Sequence, residues 1–255
     1  MQDVKKVEQA IILAAGLGSR LKPLTDTVPK CLTEVNGKPI LLQTLELLEK
    51  NGIKETVIVI GYLGQKIADK FGNKYGNMKL TYIWNHVYAK TNTMFSVWLA
   101  RDYLKHGVIL IEGDIVFGKS FMQKLIETDS EKSYWMLDSF GPKSEGSMSV
   151  SNDVGRIIIV KIVRTKLKCY CNNFYKSTGV LKLTPEYGKA FSNWLTQAVS
   201  LLDVNIYYDL VLEKHLKDLP LYVGSVVGIE WMEIDIVEDL KRAEEIFVWK
   251  RCSYA

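Results

Sequence analysis

The chain has 255 residues, of which 47% are hydrophobic, and a net charge of +4. This length is enough to bury a full hydrophobic core, as one large domain or as two lobes that share a sheet. No apolar stretch approaches the roughly 20 residues of a membrane span, and no basic run with interleaved aromatic residues indicates a nucleic-acid partner. We therefore expect a cytoplasmic protein without membrane insertion or nucleic-acid binding, whose mild positive charge suits small anionic substrates.

The cysteines and histidines show no metal-binding pattern. Cys31 and Cys252 are isolated in the sequence. Cys169 and Cys171 form a Cys-x-Cys pair, which matches neither a zinc knuckle nor a redox Cys-x-x-Cys motif. We expect all four to be free thiols, and the three widely separated histidines to be surface or packing residues.

From the start of the chain to about residue 130, short apolar runs alternate with amphipathic stretches. In chain order they are AIILAA, ILLQTLELLEKNG, TVIVIGY, QKIADKFG, LTYIWN, MFSVWLARDYL and GVILIEGD, which begin at residues 10, 40, 56, 65, 80, 94 and 107. Strands that alternate with helices of about 10 to 15 residues indicate βαβ units. The predicted fold is therefore α/β and Rossmann-like, with a mostly parallel mixed sheet between two helical layers.

After about residue 130 the pattern changes to strand-like pieces separated by glycine, asparagine and aspartate turns. These pieces are SYWMLDSF, SMSVS, RIIIVKIV and STGVLKL, starting at residues 133, 147, 156 and 177, and they predict antiparallel hairpins. Helices return at residues 185–199 and 205–219, followed by a strand at 229–235 and a last helix at 237–249. No linker or repeat interrupts the sequence, so we predict one domain over residues 1–255 with a smaller β-rich part inserted in its second half, about residues 131–255.

The first predicted strand ends in a turn with two glycines and nearby positive charge, within AIILAAGLGSRLKPLT at residues 10–25. In open α/β sheets the first strand-to-helix turn is the usual phosphate site. Gly16 and Gly18 would let backbone N–H groups approach a polyphosphate, and Arg20 would add a bidentate charge. Leu21 stands where the dinucleotide fingerprint has its third glycine, so that motif is absent. By itself, such a glycine pair is equally typical of a plain turn.

A formal match to the phosphate-binding P-loop motif occurs at GDIVFGKS, residues 113–120. Its interior would put a carboxylate and two β-branched residues into a loop that needs unusual backbone angles. We instead interpret VILIEGD as a buried strand that delivers Asp114 to the same sheet edge as the glycine turn. Asp114 is then a candidate metal ligand, or otherwise a turn residue or helix cap.

Four motifs in this order, LAAGLGSRLKPLT, PKCL, GD and WMEID, resemble those of the nucleotidyltransferase family that makes nucleoside diphosphate sugars and alcohols. The resemblance covers nearly the whole chain. The stretches KTNTMFSVWLARDYL, IEGDIVF, YKSTGVLKL and WMEIDIVEDLKRAEEIF are most similar to the cytidylyltransferase branch, which activates phosphocholine, 2-aminoethylphosphonate and similar compounds. The sugar branch typically has Asp-x-Gly and Glu-Lys-Pro where this chain has Glu233-Ile-Asp235 and no Glu-Lys-Pro.

The resemblance implies that the first half, about residues 1–130, binds the nucleotide and that the second half binds the acceptor. The implied nucleotide contacts are Leu13, Ala14, Ala15, Gly16, Gly18, Ser19, Arg20, Lys30, Tyr62, Asn92 and Glu112. Catalytic roles are implied for Arg20, Lys30 and Asp114. Asp114 and Asp235 would hold Mg²⁺, with Glu233 on the same strand face as Asp235. Asp235 and Glu238 are also compatible with a capping box that opens the last helix.

The second half carries a set of candidate acceptor contacts, which are Lys176, Tyr208, Asp209, Trp231 and Glu233. Lys176 is expected to pair with a phosphate or phosphonate, although a strand-edge lysine is commonly just solvated. Trp231 and either Tyr207 or Tyr208 are candidates to face an ammonium group by cation–π contact, with Asp209 adding negative charge. Aromatic residues that open an amphipathic helix are, however, more often part of the core.

The resemblance implies attack by a phosphate or phosphonate oxygen on the α-phosphorus of CTP, with pyrophosphate leaving. A phosphomonoester has a second pKa of about 6, so it is largely ionised near neutral pH and needs no catalytic histidine. The expected partners are CTP and a small anionic or zwitterionic acceptor, and a homodimer stays open. The alternatives are a sugar-1-phosphate or inositol-1-phosphate nucleotidyltransferase and a catalytically inactive relative with a regulatory or assembly role.

Overall fold

The structure is a computed structural model that describes residues 7–141, 144–164 and 173–247. Cys169, Cys171 and Cys252 lie outside these ranges, as does the end of the last predicted helix, residues 248–249. Among the helices that the structure describes, none combines the length and the apolar character that a membrane crossing requires.

The described chain alternates short strands with helices. The strands are β1 Gln9–Ala14, β2 Glu34–Val35, β3 Lys38–Pro39, β4 Glu55–Ile60, β5 Lys74–Tyr75, β6 Met78–Trp84, β7 Val108–Glu112, β8 Ile115–Phe117, β9 Ser133–Ser139, β10 Gly146–Ser151, β11 Ile157–Val163, β12 Phe174–Leu183, β13 Leu221–Ser225 and β14 Trp231–Glu233. The helices are α1 Ile40–Lys50, α2 Gly64–Phe71, α3 Thr93–Leu99, α4 Arg101–Leu104, α5 Lys119–Ile126, α6 Pro185–Ser200, α7 Tyr208–Lys214 and α8 Val237–Ile246.

The centre of the main sheet is parallel, as the βαβ pattern predicts. Strands β6, β4, β1 and β7 are neighbours in that order, and each adjacent pair is parallel. Leu13 of β1 is in register with Val59 of β4 and Glu112 of β7. Strand β1 precedes the glycine turn and β7 precedes Asp114, so the turn and the aspartate lie at the same edge of the sheet.

Helices cover both faces of this sheet, which confirms the α/β class and its layered arrangement. Ile11 and Leu13 belong to the core shared with α3, α4, α6 and α7, whereas Ile12, between them, belongs to the core shared with α1, α2 and α5. This division follows from the strand geometry, because successive side chains point to opposite faces.

The second half extends the same sheet with antiparallel strands. One edge of strand β12 pairs with β7 along residues 180–183 and with β10 along residues 174–176. Its other edge pairs with β9. Strands β10 and β11 form the expected antiparallel hairpin. The sequence prediction missed β13, a five-residue strand that runs parallel to β9. The division of the chain near residue 130 stays a prediction, because one continuous sheet contains strands from both sides of that point.

A separate two-stranded sheet brings residues near the end of the chain next to Asp114. Strand β14 pairs antiparallel with β8, and the Ile234 N–H donates to the Asp114 carbonyl oxygen at 3.0 Å. The alternative in which Asp235 and Glu238 form a capping box is wrong: the backbone N–H groups of Asp235 and Ile236 both donate to the carboxylate of Asp239. Asp239 thus caps the entry to α8, so the Asp235 side chain is not used for that purpose.

The packing of α6 on the turn after α4 gives a test of the fold. An added Cβ at Gly188 would lie 1.9 Å from the Leu104 carbonyl oxygen. Gly188→Ala should lower the free energy of unfolding by at least about 2 kcal/mol, although alanine is the better helix former. Urea unfolding measures this, with Gly118→Ala as control because a Cβ there meets no atom of the described residues within 4 Å. Equal stability of the two variants would contradict the packing.

Candidate active site

A cavity of about 160 Å³ opens at the carboxyl ends of β1 and β7. It is lined by Leu13, Ala14, Ala15, Gly16, Lys30, Cys31, Asn85, Tyr88, Thr91, Asn92, Thr93, Ser96, Glu112, Gly113 and Asp114. Seven of the eleven predicted nucleotide contacts are in this lining, together with the predicted catalytic Asp114. The cavity thus joins the glycine turn to the aspartate edge, as the strand order requires.

The glycine turn packs closely against the lysine that follows it. Gly18 has φ +62°, a left-handed conformation that favours glycine, and its Cβ position lies 3.0 Å from Lys30 Cβ. The Thr25 hydroxyl donates to the Gly18 carbonyl oxygen at 2.8 Å. Gly18 and Ser19 therefore shape the turn outside the cavity lining, whereas Gly16 lies in it.

Three carboxylates meet at the mouth of the cavity. One oxygen from each of Asp114, Glu233 and Asp235 lies within 4.8 Å of the others. The Lys30 ammonium donates to Asp114 Oδ2 at 2.5 Å and to Asp235 Oδ1 at 2.7 Å. Arg20 Nη2 lies 2.8 Å from the same Asp235 oxygen. The predicted catalytic and metal-ligand residues are thus brought together.

The charges in this cluster perturb one another strongly. Burial disfavours the ammonium form of Lys30, but Asp114 and Asp235 outweigh it and raise the pKa of Lys30. Burial acts on Asp235 as well, yet the Lys30 charge holds the pKa of Asp235 below its usual range. Burial and the nearby Asp114 charge raise the pKa of Glu233 to about 7. Asp114 Oδ1 is buried and has no hydrogen-bond partner among the residues that the structure describes, so one strong acceptor is left unpaired there beside the ammonium.

Sequence reasoning missed the residues that shape the far wall of the cavity. The buried Asn85 amide donates to Thr91 Oγ1 at 3.1 Å and to Ser96 Oγ at 3.2 Å. Its carbonyl oxygen accepts from the Val87 N–H at 3.1 Å. This side chain ties the end of β6 to the start of α3 across the turn that carries Tyr88. The available signal was an asparagine at the carboxyl end of a parallel strand, which in this fold points to a ligand edge.

The base of the site contains two further acids, the partly buried Glu112 and the buried Asp209. The Tyr208 hydroxyl donates to Glu112 Oε1 at 2.8 Å. Burial, followed by the charges of Asp114 and Asp209, raises the pKa of Glu112 well above its usual value. Asp209 accepts a hydrogen bond from the Ser147 hydroxyl, while its Oδ1 has no partner within the described part of the chain. Burial raises the pKa of Asp209 to about 6.

A second wall, next to Glu233, carries the predicted Lys176 and Trp231. The Lys176 ammonium donates to the Glu145 carbonyl oxygen at 2.9 Å and lies 3.5 Å from Glu233 Oε2. It is also 6.0 Å from the centre of the Trp231 ring. The Trp231 indole N–H donates to Asp138 Oδ2 at 2.8 Å, which fixes the ring. Asp138 was not foreseen from the sequence.

Other predicted contacts have different surroundings from those expected. The Tyr62 hydroxyl donates to the Thr25 carbonyl oxygen at 3.0 Å, so Tyr62 holds the glycine turn and is not in the cavity lining. Tyr208 and Asp209 are 0% and 6% exposed, so they do not form an open cage with Trp231. Their position in the interior follows from α7, whose first turn packs on the core of the sheet. Tyr207 stays 39% exposed.

The remaining motifs behave as the sequence predicts. Gly118, Lys119 and Ser120 of the P-loop match do not line the cavity, and Lys119 begins α5. Cys31 is a buried free thiol, and burial raises its pKa to about 12. His215 stacks on Trp194 with ring centres 4.4 Å apart, which is a packing role.

Comparison with known proteins agrees with this geometry. The family model described as nucleotidyl transferase matches residues 9–147, so the chain belongs to that family. A CTP:phosphoglutamine cytidylyltransferase of Campylobacter jejuni is 30% identical over 91% of this chain and 97% of its own length. A 2-aminoethylphosphonate cytidylyltransferase of Lancefieldella rimae is 25% identical over 94% of this chain and 93% of its own length.

A solved structure extends the likeness to three dimensions. The CTP:phosphocholine cytidylyltransferase of Streptococcus pneumoniae has a TM-score of 0.78 and 28% identity, covering 94% of this chain and 99% of its own. The protein is thus an enzyme of the nucleotidyltransferase family, and within it a nucleotidyltransferase of the cytidylyltransferase type. The family and branch predicted from the sequence are confirmed.

Burial of Asp209 gives a pH-dependent stability that can be measured. Its folded pKa of about 6 lies above the usual 3.8, so the folded state binds more protons between these values and this group destabilises the fold as pH rises. Asp209→Asn should stabilise the protein by about 2 to 3 kcal/mol at pH 7.5 and by little at pH 4. Urea unfolding at both pH values tests this.

The matched control for that measurement is Asp203→Asn, because the Asp203 side chain is 45% exposed and lies 3.7 Å from the Lys214 ammonium. Its effect should be small and similar at both pH values. A stability gain for Asp209→Asn that is equal at pH 4 and pH 7.5 would contradict the buried charge.

Proposed function

We propose that this enzyme is a Mg²⁺-dependent cytidylyltransferase that transfers CMP from CTP to a small phosphorylated or phosphonate acceptor and releases pyrophosphate. The observation that carries the proposal is the placement of Lys30 and Asp114 together at the mouth of a cavity formed by the glycine turn. A lysine next to exposed backbone N–H groups is well placed to bind a polyphosphate. A neighbouring carboxylate is well placed to bind a metal ion that the polyphosphate also coordinates.

The donor set fits Mg²⁺. Mg²⁺ prefers oxygen ligands and is commonly bound through one or two carboxylates together with substrate phosphates. Asp114 and Asp235 would supply those carboxylates, and the buried, unpartnered Asp114 Oδ1 is an acceptor that a cation would satisfy. When bound, Mg²⁺ supplies a positive charge that stabilises the negative charge developing on the phosphoryl oxygens.

The chain's own residues would act mainly by positioning and charge. The backbone around Gly16 would hold the triphosphate, and Lys30 would neutralise charge at the α-phosphate. Arg20, whose side chain is 68% exposed and paired with Asp235, would hold the β- and γ-phosphates that leave as pyrophosphate. Such positioning converts the encounter of two anions into an effectively intramolecular reaction, so no general base is required.

The acceptor is proposed to bind along the wall formed by Lys176, Trp231 and Glu233. Lys176 would pair with its phosphate or phosphonate. The Glu233 carboxylate on this wall lies 3.5 Å from the Lys176 ammonium, and it would pair with a positively charged amino group on the acceptor. This supports zwitterions such as phosphocholine or 2-aminoethylphosphonate over neutral sugar phosphates.

The first test of the proposal addresses Asp114. Asp114→Asn should leave the protein folded but reduce turnover at least about 100-fold, because the neutral amide is a poor Mg²⁺ ligand. Pyrophosphate release at saturating Mg²⁺ measures this, with exposed Asp102→Asn and Lys119→Ala as controls that keep normal turnover. Near-normal turnover of Asp114→Asn would reject the metal assignment, and a collapse in Lys119→Ala would restore the P-loop interpretation.

The second test addresses both substrates. Pyrophosphate release should be at least about tenfold faster with CTP than with UTP, ATP or GTP, a loss of about 1.4 kcal/mol of transition-state binding for the wrong base. With CTP, phosphocholine, phosphoethanolamine and 2-aminoethylphosphonate should be used better than glucose-1-phosphate or inositol-1-phosphate. Equal or better use of UTP with a sugar phosphate would move the enzyme to the sugar branch, and preference for inositol-1-phosphate would reject the zwitterion.

A further inference from the structure

The carboxylates of the site are already paired with cations of the chain itself. Lys30 contacts Asp114 and Asp235, Arg20 contacts Asp235, and Lys176 contacts Glu233. Three positive side chains thus face three negative ones. Lys30 has the tightest position, since one ammonium lies 2.5 and 2.7 Å from oxygens of two different carboxylates and its side chain is only 15% exposed.

We propose that the Lys30 ammonium is the resident counter-ion of the metal site and must leave it before a divalent cation can bind, so that metal binding depends on the nucleotide. This inference rests on the proposed function, because the nucleotide phosphates are the anions to which Lys30 moves. Its consequence is that Mg²⁺ and CTP bind with strong positive coupling, whereas the metal alone binds weakly.

Charge and space both oppose simultaneous occupation of the site. A Mg²⁺ ion held by Asp114 and Asp235 would lie about 2.1 Å from an oxygen of each carboxylate, and the Lys30 ammonium already lies 2.5 and 2.7 Å from oxygens of the same two carboxylates. Lysine suits an exchange between two anionic partners, since its compact charge sits on a flexible four-carbon stem. Arginine would hold its carboxylates through a rigid fork and would exchange less readily.

Charge explains why the exchange requires the nucleotide. If a metal ion displaced Lys30 with no phosphate present, a largely buried ammonium would lose both of its carboxylate partners, which is strongly unfavourable. A triphosphate supplies new partners for the ammonium at the moment the cation takes the old ones. Because coupling between two ligands is reciprocal, the factor by which CTP tightens metal binding equals the factor by which the metal tightens CTP binding.

The test measures metal binding without turnover. Mn²⁺ binding to the nucleotide-free protein is followed by the electron paramagnetic resonance signal of free Mn²⁺, for wild type, Lys30→Gln and Lys30→Met. Both variants lack the competing charge, and glutamine retains hydrogen-bond donors for the carboxylates. The control is Lys79→Met, which removes a lysine paired with Glu55 at 2.8 Å in another part of the sheet. No acceptor is present, so the result does not depend on which acceptor or base the enzyme prefers.

We expect Lys30→Gln and Lys30→Met to bind Mn²⁺ at least tenfold more tightly than wild type, and Lys79→Met to equal wild type. Adding Asp114→Asn to Lys30→Gln should abolish the gain, which shows that the tightened site is the one described. Mn²⁺ alone should also raise the unfolding temperature of Lys30→Gln more than that of wild type. Mn²⁺ affinity of Lys30→Gln equal to or weaker than that of wild type would overturn the proposal, whatever the outcome with CTP and acceptors.

Discussion

The site depends on one close approach, between the ends of the parallel strands β1 and β7. The Gly113 N–H donates to the Leu13 carbonyl oxygen at 2.9 Å, and a Cβ on Gly113 would lie 2.6 Å from that oxygen. Only glycine allows the two strand ends to meet so closely. This contact sets the glycine turn beside Asp114, and the pairing of β8 with β14 then adds Glu233 and Asp235 from the far end of the chain.

That approach also concentrates negative charge, and the chain neutralises it internally. Asp114, Glu233 and Asp235 would repel one another in a half-buried cluster unless cations are near. Lys30 arrives from the turn that follows the first glycine motif, and Lys176 arrives from β12. These ion pairs therefore allow the three carboxylates to lie close together in the folded protein when no metal ion is bound. The same pairing means that the net charge of +4 describes the surface and gives little information about the potential inside the cleft.

Most elements set by local pattern could be predicted from the sequence, although helix α5 was missed, and those set by long-range contact could not. The buried runs of β1, β4 and β7 and the aspartate at the β7 end follow from apolar periodicity and parallel-sheet topology. Strand β13 was missed because its five residues include a glycine and become a strand only through pairing with β9. The hydrogen bonds of Asn85 and Asp138 and the buried position of Asp209 involve partners 6 to 93 residues away. Hydrophobic periodicity carries no information about such partners.

Strand β12 connects the cavity at the end of β7 to the wall that carries Lys176. Its second half pairs with β7, which ends at the aspartate edge, while its first half pairs with β10 and carries Lys176. Between them Gly179 has φ +71°, and its Cβ position lies 3.0 Å from Glu112 Cβ, so the strand bends around a cavity residue. Because a single continuous strand links the aspartate edge to the wall proposed for the acceptor, the distance between the two is set by the backbone. An in-line transfer that depends on positioning needs that fixed separation.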